Sequence, residues 1–196
     1  MGLTSKKSRP LDRGEVHFRD SYLIVVAVEG AKTEKRYFEL FEHKRIKIIV
    51  QENTENKSAP QHVIAQLHQF KAEYQLEEDD QLWLVVDTDR WKPDMLHKVC
   101  KDCYDNGYFR AISNPCFEYW LLLYHHEQVE PGSCKNLKRR LGKIHDELST
   151  NWSNLYQDIE RTQIAVKRAR ENDPAPNAPF PETLGTHVYK IVQQLV

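Results

Sequence analysis

Asp87-Thr88-Asp89 closes an apolar run, and its two carboxylates stand two residues apart. In an extended chain that spacing lets both side chains point the same way, and oxygen ligands so placed suit a hard cation such as Mg2+. Repulsion between the two without a cation makes a purely structural role less comfortable. By themselves they also fit ordinary strand-end polarity, with Asp89 capping a helix begun near Pro93. Glu29 shifts the balance: it ends a second apolar run, Tyr22–Val28, and three carboxylates at the ends of two strands favour metal binding.

Two further carboxylates invite the same question. Glu34 falls in the first turn of a helix beginning at Thr33, where interaction with the helix dipole accounts for it when read alone. Glu118 lies in Phe117-Glu118-Tyr119-Trp120-Leu121-Leu122-Leu123-Tyr124, which is apolar nearly all round. A carboxylate there is costly to bury unpaired, so it points to a metal or a basic group as partner. Lys135, Lys138, Arg139, Arg140 and Lys143 would suit phosphate contacts and equally a solvated helix face. His97, Cys100 and Cys103 suggest zinc, but Lys101-Asp102 lies in a predicted helix and no second pair with finger-like spacing follows. His125-His126 reads as a polar helix end. Neither a P-loop nor a Gly-x-Gly-x-x-Gly occurs.

The elements that must position these groups alternate. Tyr22–Val28 is a strand buried on both faces, as in parallel sheets. A helix from Thr33, placed to cap it, runs to Lys44. Strand Ile46 to Val50, helix His62 to Tyr74, strand Leu82 to Val86, helix Asp94 to Asn106 stopped by Gly107, and strand Tyr108 to Ile112 follow. Asn114 as cap and Pro115 at the first helical position then open the apolar helix. Residues 135 to 171 read as helical, 173 to 181 as a proline-rich loop, and 186 to 195 as a last short helix. The order predicts an α/β fold, a doubly wound, mainly parallel four-stranded sheet with helices on both faces. Three segments follow: a flexible basic arm (1–20), the α/β core (21–134) and a helical C-terminal extension packed on it (135–196). In such sheets active groups gather beyond the carboxyl ends of the strands.

Composition sets the outer limits. Of 196 residues, 40% are hydrophobic and 29% charged, which excludes disorder as the general state. No apolar stretch approaches the roughly 18 residues of a membrane helix, and the basic N-terminus has no apolar signal region. Four unevenly spaced cysteines do not make a disulfide framework. A cytoplasmic protein is expected. The net charge of -1 hides an uneven distribution, -6 over residues 21–134 and +5 over 135–170, so acidic chemistry belongs to the middle and polyanion contact to the later segment.

Three segments carry a family resemblance. Val28-Glu29-Gly30-Ala31-Lys32-Thr33-Glu34-Lys35-Arg36-Tyr37-Phe38, then Val85-Val86-Asp87-Thr88-Asp89, then Ser113-Asn114-Pro115-Cys116-Phe117-Glu118-Tyr119-Trp120-Leu121-Leu122 resemble in order and spacing the signatures of RloB-like proteins. The resemblance covers roughly residues 20 to 126, and Thr186-His187-Val188 loosely matches the family's closing segment. It implies a Toprim-type domain from bacterial defence or restriction-modification loci, often encoded beside an ABC-type or AAA ATPase. By it, Glu29 corresponds to the Toprim glutamate and Asp87 and Asp89 to its Asp-x-Asp pair. Glu34 and Glu118 correspond to the extra acidic positions of the overcoming-lysogenization-defect nucleases. It assigns no charge-neutralising lysine.

The expectation is therefore a Mg2+- or Mn2+-dependent endonuclease acting on DNA or RNA in anti-phage defence or abortive infection. Glu29, Asp87 and Asp89 would be catalytic, with Glu29 doubling as acid/base, and Glu34 and Glu118 would complete a second metal position. Tyr22 and Tyr37 have core roles, so neither is assigned as a topoisomerase nucleophile. Two alternatives stand beside this reading: a non-catalytic metal-binding effector or adaptor of an ATPase complex, and primase-like nucleotidyl transfer. Oligomeric state, including a homo-oligomer, is open.

Overall fold

The computed structural model describes residues 6–7, 22–30, 32–41, 46–51, 59–148 and 151–196. β1 (Tyr22–Val28) carries six consecutive aliphatic residues from Leu23 to Val28, with no polar side chain to hold either face in water, and all six are fully buried. It pairs in parallel with β2 (Ile46–Gln51) on one side and with β3 (Gln81–Asp87) on the other. β4 (Phe109–Asn114) extends the parallel sheet beyond β3. The sheet has a fifth strand where four were expected: β5 (Gly185–Thr186) pairs antiparallel with Ser113 and Asn114, giving the order β2-β1-β3-β4-β5.

Alternation along the strands divides the core in two. Leu23, Val25, Ala27, Leu82, Leu84 and Val86 face α2 (Pro60–Glu73) and α3 (Pro93–Asn106). Both helices begin with proline, whose missing N–H is tolerated there, and α3 stops at Gly107, φ 71°, as the sequence predicts. Ile24, Val26, Val28, Trp83 and Val85 face the other cluster. That cluster is built from α1 (Thr33–Phe38), α4 (Glu118–Leu122), α5 (Cys134–Leu148), α6 (Trp152–Tyr156), α7 (Ile159–Glu171) and α8 (Tyr189–Val192). At its centre the fully buried Tyr37 touches the rings of Phe38, Phe41, Phe117, Trp120, Tyr124 and Tyr156. Its hydroxyl lies 2.7 Å from that of Tyr124, which donates to Thr162 Oγ1 at 3.2 Å. The α4 segment is buried throughout, as its composition requires.

Several local expectations give way to long-range pairing. Asn114 is not a helix cap: it ends β4, and its side-chain amide donates to the Pro181 carbonyl at 2.9 Å. The helix begins only at Glu118 and has no side-chain cap. Thr33 likewise is the first helical residue, with Lys32 at the uncapped N-cap position, and α1 passes into a 3-10 turn at Glu39–Phe41. Residues 135 to 171 form three helices, α7 restarting where Asp158 Oδ1 accepts the Arg161 N–H at 3.0 Å. The last helix is shorter than 186–195 because Thr186 is drawn into the sheet. In the expected basic arm, Lys6 and Lys7 are described, and the rest lies outside the described residues. Lys7 exchanges backbone hydrogen bonds with Glu73 and Gln75 (2.9 and 2.8 Å), and its ammonium meets the Glu73 carboxylate. Among the described residues, no helix is long and apolar enough to cross a membrane.

Among the contacts that pin the returning segment is a buried pair of hydroxyls. Ser113 Oγ lies 2.8 Å from Thr186 Oγ1, which also accepts the Val188 N–H at 3.1 Å. Thr186→Val should therefore cost about 1–3 kcal/mol, because it strands a buried hydroxyl and a buried amide. Adding Ser113→Ala should recover part of that loss, and urea midpoints of the three variants measure it.

Candidate functional site

β1 leads on to β2 on one side, and the next strand, β3, lies on the other, so the chain reverses direction across the sheet between β1 and β3. Ligands of open α/β sheets bind outside the carboxyl ends at such a point. Here those ends carry Glu29 and Asp87. The Glu29 N–H donates to the Val85 carbonyl at 3.1 Å, continuing the ladder by one residue. Its Oε2 accepts the Asp87 N–H at 3.3 Å and the Trp91 indole N–H at 3.2 Å. Asp87 is in phase with Trp83 and Val85, which places it on the α1, α4 and α5 side of the sheet. The loop beyond it is held by β4 and the residue that follows the strand: Thr88 N–H donates to Ser113 O at 2.9 Å and Asp89 N–H to Pro115 O at 3.2 Å.

Glu29, Gly30, Glu34, Asp87, Asp89, Arg90 and Lys138 line one open cleft of about 380 Å³, which includes open solvent. Four of the five expected metal-site carboxylates thus share a cleft. Glu118 stands behind it, buried, with Oε1 3.7 Å from the Lys138 ammonium. No three of Glu29, Glu34, Asp87 and Asp89 bring oxygens within 4.8 Å of one another. They surround the cleft without converging, and gathering three on one ion needs a side-chain rotation.

The electrostatics are those of crowded, desolvated anions. Burial pushes Glu34 up to about 7, opposed by its own backbone N–H and by Lys138 and reinforced by Glu118 and Glu29. Asp87 is pushed well above the usual carboxylate range, first by burial and then by Glu34, Glu118, Glu29 and Asp89. Burial also raises Glu29, against the hydrogen bonds from Trp91 and Asp87. Burial works to lower Lys138, but Glu118, Cys134 and Cys116 more than offset it and the ammonium is held above its ordinary range. Gly30 permits the crowding: a Cβ there would lie 2.7 Å from Glu34 Cδ.

The basic segment divides. All five residues lie on α5, whose buried face carries Cys134, Leu137 and Leu141. At 100° per residue, Lys138 and Arg140 flank that face on opposite sides. Lys138 reaches the cleft, and Arg140 donates to the Glu130 carbonyl at 2.6 Å. Lys135, Arg139 and Lys143, spaced four apart, form an exposed stripe. Sequence reasoning missed Lys138 as the cleft's cation, Trp91 as the donor that orients Glu29, and the thiols Cys116 and Cys134 beside Glu118. Only contact between α4 and α5 reveals the first and last. Cys100 and Cys103 sit in the opposite core, away from the carboxylates.

A family model described as RloB-like protein matches residues 24–195. The chain belongs to the RloB-like family. The match runs well past residue 126, where the resemblance of the three motifs ends, and it takes in α5 with Lys138 and the closing β5 and α8. No curated protein and no solved structure matches the chain.

The raised carboxyls have a measurable consequence. Glu34 keeps its proton to about pH 7 in the folded chain against an ordinary value of 4.5. The stability this contributes is full below about pH 4.5 and is lost as pH rises through 7. With chelator present, stability should fall between pH 5 and 7.5, and Glu34→Gln should flatten that slope and gain on the order of 2–4 kcal/mol at pH 7.5. Urea melts at the two pH values check this.

Proposed function

We propose that this RloB-like protein is a divalent-metal-dependent nuclease with a Toprim-like active domain, the effector of a bacterial anti-phage or abortive-infection system that works with an ABC-type or AAA ATPase. The observation that carries this reading is the cleft at the ends of β1 and β3, where Glu29, Glu34, Asp87 and Asp89 face one another with Lys138 at the edge. A glutamate after the first strand and an Asp-x-Asp after the third, on a mainly parallel sheet, support the Toprim-like reading. The donor set fits Mg2+ or Mn2+: all four groups are carboxylates, and the raised proton affinity of Glu29, Glu34 and Asp87, caused first by burial and then by neighbouring carboxylates, is a cost that a hard cation would relieve.

Asp87, Asp89 and Glu29 would hold such an ion, and Glu34 and Glu118 would complete a second metal position. When bound, the ion polarises phosphoryl oxygens and lowers the pKa of its water. The chain's own groups do the rest. Glu29 Oε2 is fixed by two donors, which leaves Oε1 as the atom to take a proton from an attacking water and return it to the leaving oxygen. Arg90 and Lys138 offset the carboxylates so that a phosphodiester can approach. The outward stripe of Lys135, Arg139 and Lys143 follows the substrate backbone.

Incubation with plasmid, single-stranded DNA and tRNA, with Mg2+ or Mn2+ and with chelator, tests the assignment. Metal-dependent cleavage is expected. Asp87→Asn and Glu29→Gln should each lower it by at least about 10- to 100-fold, the cost of losing even an outer partner of a metal ligand, while keeping the fold and, in chelator, a stability equal to or above that of the parent. Metal binding without cleavage of any substrate would favour the adaptor reading.

The stripe is tested separately. Lys135→Gln, Arg139→Gln and Lys143→Gln together should weaken binding regardless of sequence and flatten the log-log salt dependence by about 0.9 per lost phosphate contact. Binding isotherms at several salt concentrations check it. An unchanged slope removes the stripe from the substrate path.

A further inference from the structure

We propose that Cys116, Glu118 and Cys134 form a binding site for a borderline transition-metal ion of the Zn2+ class behind the carboxylate cleft, sharing Glu118 with the hard-cation site and set apart from it by two sulfur donors. The two sulfurs and a carboxylate oxygen lie within 4.8 Å of one another, and all three residues are buried. In a tetrahedral zinc site, bonds of about 2.3 Å to sulfur and 2.0–2.2 Å to oxygen set neighbouring donors roughly 3.5–3.8 Å apart. Cys134 Sγ already stands 3.9 Å from Glu118 Oε2. A shift of a few tenths of an ångström brings them to ligand geometry.

The position of each donor is set by the fold. Cys116 follows Pro115, whose carbonyl holds Asp89, and lies two residues before Glu118 on the turn into α4. Cys134 is the first residue of α5, packed against α4. The two oxygens of Glu118 are divided: Oε1 faces Lys138 and Oε2 faces the Cys134 sulfur. Two thiolates and a carboxylate around a divalent ion leave one negative charge, and Lys138 balances it. The donor set, two sulfurs and one oxygen, selects a softer ion than Mg2+. The Cys100–Cys103 pair makes no comparable group: Cys100 donates to the Pro179 carbonyl and both lie in the other core.

The site stands whether or not the chain cleaves nucleic acid, so its test reads the ion itself. The full chain, stripped by chelator and titrated with Co2+ as a spectroscopic substitute for Zn2+, should develop a thiolate-to-cobalt charge-transfer band that saturates at one ion per chain and is displaced by Zn2+. Cys116→Ser and Cys134→Ser should each reduce or abolish it, and the Cys100→Ser/Cys103→Ser double variant should retain it. Glu118→Gln should keep the band and weaken binding by about tenfold or more. Should the serine variants fail to fold, X-ray absorption of the zinc-loaded Cys100→Ser/Cys103→Ser protein decides: two sulfur neighbours are expected. A shell of nitrogen and oxygen alone, or a cobalt band lost with Cys100 and Cys103, overturns the proposal.

Discussion

The parallel register between β1 and β3 is the constraint on which the rest depends. Val28 sits opposite Val85, so the next residue of β1 meets the end of β3 and Glu29 accepts the Asp87 N–H. A slip of one residue would send Asp87 to the α2 and α3 side, away from Glu34 and Glu118, because side chains alternate at every step. What opposes the slip is the fit of particular side chains: with both faces of both strands apolar, a slipped register would still bury side chains, but in the wrong cluster and against the wrong helices. Core packing thus serves as the positional control of the carboxylates.

That control is exercised against electrostatics. Five carboxylates crowd near one sheet end, and the fold offsets them with few cations, chiefly Lys138 and Arg90. Lys138 reaches the cleft only because α5 turns its apolar face, Leu137 and Leu141, into the cluster around Tyr37, leaving the lysine on the flank. The same packing carries Cys134 to Cys116. One helix therefore brings a counter-charge to the acidic cleft and a second thiol to the space behind it.

The four parallel strands, the carboxylates at their ends, and helix α3 between Pro93 and Gly107 could be read from the sequence, because each is encoded in consecutive residues. Asn114 shows where that stops. Ser-Asn-Pro is locally a helix-start pattern, yet both polar side chains find partners at positions 181 and 186, which no window around residue 114 contains. β5 went unseen because two residues have no periodicity. Among the basic residues, the sequence could group Lys138 with its neighbours on charge, but only the angle of α5 separates it from them.

The pairing of Ser113 with Thr186 spans 73 residues, and it bears on the order in which the molecule is built. A growing chain that has emerged through α4 carries all five carboxylates but neither Lys138 nor the strand that covers the β4 edge. Of the two cations at the cleft it carries only Arg90, and the β4 edge is open to stray pairing. Contacts of such separation form late. In chain order, therefore, every acidic group of the cleft is made before Lys138 and before the strand that covers the β4 edge.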